Sequence, residues 1–281
     1  MPELPDLLHM QKYLATHVCG KTVTAVRIKQ PIVLRILIDR HIEKLLLGNS
    51  ITEVTLRGPF IRFALSDGLD LVMNLMLAGK IQHQHVGEKP EGYLCFSLSL
   101  ADGSILNFCD EQLMVKAYLV PNGSYAIIPQ YEHQGMDILS EEFTLERFSA
   151  LATKHSRKQV RTFINDHTIL SAIGNAYADE ILFDAKIHPK TFVTRLSPAE
   201  IETLYSSILS VIAWGTREVE KAQQPIHVKV RDHLKVRNRR GQPCPRCATT
   251  IRREGVRGYD VFFCPNCQPA SRKLFIQWRQ T

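Results

Sequence analysis

With 281 residues, 44% of them hydrophobic, the chain can bury one large core or two to three smaller ones, and intrinsic disorder is excluded as its default state. Lysine and arginine (35) outnumber aspartate and glutamate (28), giving a net charge of +7, which suits a polyanionic partner. No apolar run is long enough to span a bilayer, and Met1-Pro2-Glu3-Leu4-Pro5-Asp6 has neither the basic nor the apolar stretch of a secretory signal, so a soluble, intracellular (cytoplasmic) protein is expected.

In chain order, the first element is a helix from Asp6 to about Cys19, with Leu7, Met10, Leu14 and Val18 at helical spacing and Gly20 as its stop. Strand-like runs follow at Thr22 to Ile28, Ile51 to Leu56, Phe60 to Leu65, Leu69 to Leu75, Tyr93 to Leu100 and Ile105 to Cys109. A short helix around His41 to Leu47 interrupts them. Asp67-Gly68 and Asp102-Gly103 lie between such runs and predict hairpin turns. The pattern predicts a two-sheet sandwich. Beyond about residue 130 it turns helical, over Thr144 to Thr153, Lys158 to Asn165, Ala172 to Ala185 and Pro198 to about Ala222. Ser197, Pro198 and Glu200 form a capping-box start for the last of these, and Gln223-Gln224-Pro225 breaks it.

From His227 onward the chain is short, basic and cysteine-bearing. Cys244-Pro-Arg-Cys247 and Cys264-Pro-Asn-Cys267 are separated by sixteen residues, a spacing that sets four thiolates around one zinc ion. Four cysteines leave no open position for a substrate water, so the metal is structural and supplies folding free energy to a segment too small for its own core. Cys19, Cys95 and Cys109 are scattered, and this odd count fits a reduced compartment better than a disulfide framework. The arginines around the knuckles suit contact with phosphates.

Removal of Met1 would leave Pro2 as a terminal secondary amine, far less basic than a lysine. Such an amine can attack a sugar C1′ and form an iminium, with Glu3 as general acid and then base. Taken alone, a Met-Pro start is common and Glu3 reads equally as an exposed acid. The rest of the chain changes that reading. The opening hexapeptide resembles the start of the Fpg/Nei DNA glycosylases, which usually carry Glu where Asp6 stands. The run Ile173-Gly174-Asn175-Ala176-Tyr177-Ala178-Asp179-Glu180-Ile181-Leu182, followed by Ile187-His188-Pro189, resembles that family's helix-two-turn-helix motif. Arg239-Arg240-Gly241-Gln242-Pro243-Cys244 resembles its lead-in to the zinc finger.

The resemblance spans nearly the whole chain in the right order. It implies Pro2 as nucleophile, Glu3 as proton shuttle and Asn175 as a phosphate ligand at a helix start; the alternative for Asn175 is a simple cap. The family acid matching Glu180 lies near the site, whereas the residue alone reads as an exposed helix charge. The target base would be rotated out and the gap filled by a side chain.

Several positions depart from the better-known members. Pro59, in Arg57-Gly58-Pro59-Phe60, stands where a lysine near the lesion is usual. Leu77, in Asn74-Leu75-Met76-Leu77-Ala78-Gly79, replaces a gap-filling methionine. Gln112 and Met114 replace an arginine and a phenylalanine that face the orphaned base. Tyr259 replaces the finger's arginine, for which Arg257 is the substitute. These changes bear on which lesion is read more than on reaction type.

The resulting expectation is an α+β multidomain protein: a catalytic β-sandwich over residues 1–130, a helical helix-two-turn-helix domain over 131–225, and a zinc-finger β-hairpin with tail over 226–281. Its expected activity is that of a monomeric DNA repair glycosylase with AP lyase activity on damaged DNA. Catalysis falls to Pro2 and Glu3, and DNA binding to Asn175, Leu77, Gln112, Met114, Arg257 and Tyr259. One zinc is held by Cys244, Cys247, Cys264 and Cys267. The alternatives are a paralogue that binds damaged DNA without turnover and an RNA-associated zinc protein.

Overall fold

The computed structural model describes residues 1–36, 41–85, 87–256 and 258–270. By internal contacts the chain forms two units, one of residues 1–134 and 216–230, the other of 135–215 and 231–281.

In the first unit, helix α1 (Leu4–Val18) buries Leu7, Met10, Leu14 and Val18 along one face, as their spacing requires. Gly20 takes φ +80° just past its end. The strands are β1 (Val23–Ile28), β2 (Leu34–Ile36), β3 (Ile51–Arg57), β4 (Phe60–Leu65), β5 (Leu69–Asn74), β6 (Lys80–His85), β7 (Leu94–Leu100), β8 (Ser104–Cys109) and β9 (Lys116–Pro121), with a short helix α2 (Ile42–Leu46) between β2 and β3. They form two sheets, ordered β1-β7-β8-β6 and β2-β9-β5-β4-β3. Every pairing is antiparallel except that of β2 with β9. Phe63 of β4 meets Phe108 of β8 edge-on at 6.2 Å, and Phe108 stacks on Phe96 of β7 at 4.2 Å. These rings join the two sheets into the expected sandwich.

Both Asp-Gly turns form as read. Gly68 and Gly103 each take φ +84°, while Asp67 accepts from Leu69 N and Asp102 from Ser104 N, the side-chain turn that favours Asp there. Three strands escape the sequence pattern: β2, β6 and β9.

The second unit contains α3 (Leu145–Lys154), α4 (Val160–Ile164) and α5 (Asn175–Asp184). The range of each unit includes part of α6 (Pro198–Lys221). The capping box of α6 forms, with Ser197 N donating to Glu200 Oε2 at 2.7 Å and Glu200 N to Ser197 Oγ at 3.3 Å. A hairpin of β10 (Arg252–Val256) and β11 (Tyr259–Phe263) completes the unit. Its inner side shares a core with Phe183 of α5 and Val236, through Ile251, Phe262, Cys244 and Cys264. The finger thus borrows from α5 the apolar surface it is too small to provide. Among the described residues no helix is long and apolar enough to cross a membrane.

Candidate functional site

Pro2 and Glu3 lie at the start of α1. Both are buried, Glu3 at 7% exposure. Glu3 is the helix N-cap and shares a reciprocal capping box with Asp6, whose Oδ2 accepts Glu3 N at 2.9 Å. Asp6 thus pins the Pro2-Glu3 backbone to the start of the helix. The ammonium of Met1 donates to the carbonyl of Leu77 at 3.1 Å, and Lys229 Nζ donates to the same oxygen at 3.1 Å.

That carbonyl belongs to the tight loop between β5 and β6. Asn74 Oδ1 accepts from Met76 N, Gly79 N closes back on Leu75 O at 2.9 Å, and Met76 takes φ +51°. The Leu77 side chain stands out of this loop with 58% of its surface exposed, a posture suited to an apolar wedge. A second loop, between β8 and β9, is organised by one buried carboxylate. Asp110 accepts from Gln112 N at 2.9 Å, Met114 N at 2.8 Å and Val115 N at 2.7 Å, and Leu113 between them takes φ +54°. Gln112 is exposed and Met114 half-buried. Ala78 of the first loop and Lys80 just after it, Glu111 and Gln112 of the second, and Lys229 border one cavity of about 190 Å³. Pro59 lies buried in the two-residue turn joining β3 to β4, after Gly58 at φ +53°. It offers neither charge nor N–H.

In the second unit, Asn175 is the first residue of α5, half-buried, after Gly174 as N-cap. Its Oδ1 accepts from Arg161 Nη2 at 2.8 Å. Arg161 also donates through Nε to Asp179 Oδ1 at 3.2 Å, and Asp179 Oδ2 accepts from Arg237 Nη1 at 2.8 Å and from Phe262 N at 3.2 Å. Burial raises the Asp179 pKa to about 6 against the pull of the two guanidinium groups. Glu180 is not an exposed helix charge. At 1% exposure it accepts Lys235 N at 2.9 Å, Val236 N at 2.9 Å and Arg237 N at 3.0 Å, tying down the segment before the finger. Burial raises its pKa and these amides oppose the shift. The sequence does not mark Arg161, since a lone cation ordinarily reads as solvated surface.

The four cysteine sulfurs lie within 4.8 Å of one another. Sγ of Cys247 is 3.5 Å from that of Cys264 and 3.4 Å from that of Cys267, and Cys244 is 3.8 Å from Cys267. A tetrahedral zinc with Zn–S of about 2.3 Å has edges of about 3.8 Å, so the cage fits the ion. In each knuckle an amide faces the first thiolate, Arg246 N to Cys244 Sγ and Cys267 N to Cys264 Sγ, both at 3.4 Å. The chain carries one structural zinc here. Arg257 lies outside the described residues. Tyr259 opens β11, its backbone paired with Val256.

A β-sandwich that begins with a capped Pro-Glu helix, a helix start bearing Asn175 and a four-cysteine finger define the class of zinc-containing DNA glycosylases. Three family models match in order: the formamidopyrimidine-DNA glycosylase N-terminal domain over residues 1–115, its H2TH domain over 134–225, and the zinc finger found in FPG and IleRS over 241–270. The formamidopyrimidine-DNA glycosylase of Mycoplasma genitalium is 31% identical, covering 98% of each chain. That of Pelotomaculum thermopropionicum is 28% identical over 95% of this chain and 99% of the relative. The crystal structure of MutM (Fpg) from Thermus thermophilus superposes with a TM-score of 0.83 at 28% identity, covering 96% of this chain and 100% of that one. The chain belongs to the formamidopyrimidine-DNA glycosylase family.

Proposed function

We propose that this protein is a bifunctional DNA glycosylase and AP lyase that excises a damaged base and cleaves the resulting abasic site through an iminium at Pro2. The observation that carries the reading is the buried, helix-capped Pro2-Glu3 start in a chain that matches a family member over 98% of both lengths. After Met1 is removed, the lone pair of Pro2 attacks C1′ and the glycosidic bond breaks, the base leaving with its electron pair and a proton. Glu3 protonates the ring oxygen as the sugar opens to the iminium. The Glu3 carboxylate then takes a C2′ proton, the 3′ phosphate leaves by β-elimination, and water hydrolyses the iminium to release Pro2.

Asn175 and the finger hold phosphates, the finger through Arg257, while Tyr259 stacks on a base or sugar. Leu77 fills the gap left by the extruded base, and Gln112 and Met114 meet the opposite strand. The working form is a monomer on DNA in the cytoplasm, divided into residues 1–130, 131–225 and 226–281. Because Pro59 supplies no cation at its buried turn, abasic-site cleavage exceeds excision of 8-oxoguanine, and strong glycosylase activity is directed at other damage. Match to the family along the whole chain favours this reading over a binding-only paralogue or an RNA-associated protein.

The test is borohydride trapping on an abasic duplex followed by peptide mapping. An adduct on the N-terminal peptide is expected, together with single-turnover cleavage of the abasic duplex faster than that of a matched 8-oxoguanine duplex. An adduct elsewhere, or turnover by protein that retains Met1, overturns the Pro2 assignment. Equal fast rates on both duplexes overturn the substrate reading.

A further inference from the structure

Asn175 can serve an anion only if its amide points the right way: the NH2 end attracts a phosphate and the carbonyl end repels it. A guanidinium has donors only, so the atom of Asn175 that faces Arg161 Nη2 at 2.8 Å must be oxygen; the side-chain amide of Asn165 lies 3.1 Å from the same atom but can turn either end toward it, so the guanidinium decides the polarity. Both amide N–H bonds are thereby left at the start of α5, where the helix dipole also favours negative charge. Arg161 is in turn fixed. It is 2% exposed, and its Nε is held by Asp179, itself 1% exposed, whose other oxygen binds Phe262 N of β11 and Arg237 Nη1. Arg237 Nη1 also donates to Asp260 O at 2.9 Å, so the chain of bonds ends on the backbone of the finger hairpin.

We propose that Arg161 and Asp179 are positioning residues that set the polarity of the Asn175 amide and register it to the finger hairpin, making the helix start and the finger a single phosphate clamp. If the pair served packing alone, apolar side chains of similar volume would do as well or better. The two-pronged contact needs the planar fork of arginine, which lysine lacks. The inference rests on the reading of Asn175 as a phosphate ligand.

The experiment measures the Kd of a duplex bearing a tetrahydrofuran abasic analogue, at fixed salt, for Asn175→Ala, Arg161→Lys, Asp179→Asn and the double variants with Asn175→Ala. Melting temperature, zinc content and single-turnover cleavage at saturating abasic duplex are followed in parallel. Asn175→Ala is expected to weaken binding roughly tenfold, the size of one hydrogen bond to a charged acceptor. Arg161→Lys retains the charge against Asp179 but cannot reach both partners. It should weaken binding by a similar factor with zinc retained and the saturated rate within about twofold, and adding Asn175→Ala should cost nothing further. Asp179→Asn should give a smaller loss, equally masked by Asn175→Ala. No effect of Asn175→Ala sinks the phosphate reading itself. A tenfold effect of Asn175→Ala that multiplies with those of Arg161→Lys and Asp179→Asn, or unfolding of both of these variants, overturns the positioning role and assigns the pair to folding alone.

Discussion

Glu180→Gln isolates the tether that shapes the segment leading into the finger. In the native protein one buried carboxylate serves three consecutive amides, Lys235 N through Oε2 and Val236 N and Arg237 N through Oε1. Glutamine is nearly isosteric, and its single carbonyl can keep two of those bonds. They become neutral, a loss of about 1 kcal/mol each, and the NH2 group then faces Lys235 N, donor against donor, at a further cost of about 1–3 kcal/mol. The sum, about 3–5 kcal/mol, falls on a local opening of residues 235–237 and corresponds to a loss of about 10²–10⁴ in hydrogen-exchange protection. Exchange followed by mass spectrometry on a peptide spanning 234–240 should show that acceleration, while β-sandwich peptides exchange as in the wild type. A change below about threefold at these amides would refute the reasoning, because the carboxylate would then contribute nothing that a neutral amide could not.

Gly79→Ala tests the wedge loop. A Cβ there would lie 2.4 Å from Leu75 O and 3.0 Å from Leu75 Cα, both backbone atoms, so the turn must open. An overpacking cost of about 1–3 kcal/mol expressed in the placement of Leu77 predicts a tenfold or larger drop in single-turnover rate; an unchanged rate counts against the wedge role. Acid should loosen the sandwich through His83, whose Nδ1 is held by the Tyr13 hydroxyl at 3.2 Å and whose Nε2 is buried without a partner. Burial, then Lys21, lowers its pKa. The stability it confers is complete above the unfolded value of about 6.5 and is lost as pH falls through the lower folded value. Melting temperature should therefore fall on acidification from neutral pH, and His83→Gln should reduce the dependence; an identical slope would exclude His83 as the source. Cys247→Ser should lose zinc and weaken DNA binding, and because the finger shares a core with Phe183, peptides of α5 should exchange faster while the β-sandwich stays folded. Zinc content well below one equivalent in the wild type would remove the basis of this prediction.

The sequence shows this fold wherever burial is written as periodicity or turn chemistry. The bounds of α6 follow from Ser197, Pro198 and Gln223, and the β4–β5 and β7–β8 turns from their Asp-Gly pairs. Strand β6 is hidden because its sequence, Lys80-Ile81-Gln82-His83-Gln84-His85, looks polar. Gln82 is nevertheless buried, because it exchanges two hydrogen bonds with the backbone of Glu91, at 2.7 and 2.9 Å, a pairing 9 residues away that no local pattern announces. Strand β2 has three residues and a parallel partner far along the chain. Within the site, the cysteine cage is set by spacing, so it can be read directly. The Arg161–Asp179 pair cannot, because a buried arginine is recognisable only from the carboxylate and amide that fold against it.

Asp110 carries a consequence for how such a protein diversifies. It holds the β8–β9 loop entirely through main-chain amides, those of Gln112, Met114 and Val115, so the shape of the loop is independent of the side chains it displays. Mutation can then sample new residues at 112 and 114 without re-solving the turn, much as type is changed in a fixed printing frame. Substitution at either position would thus meet little resistance from folding. A lineage under a different spectrum of chemical damage could retune what it recognises in single steps while the scaffold stayed intact.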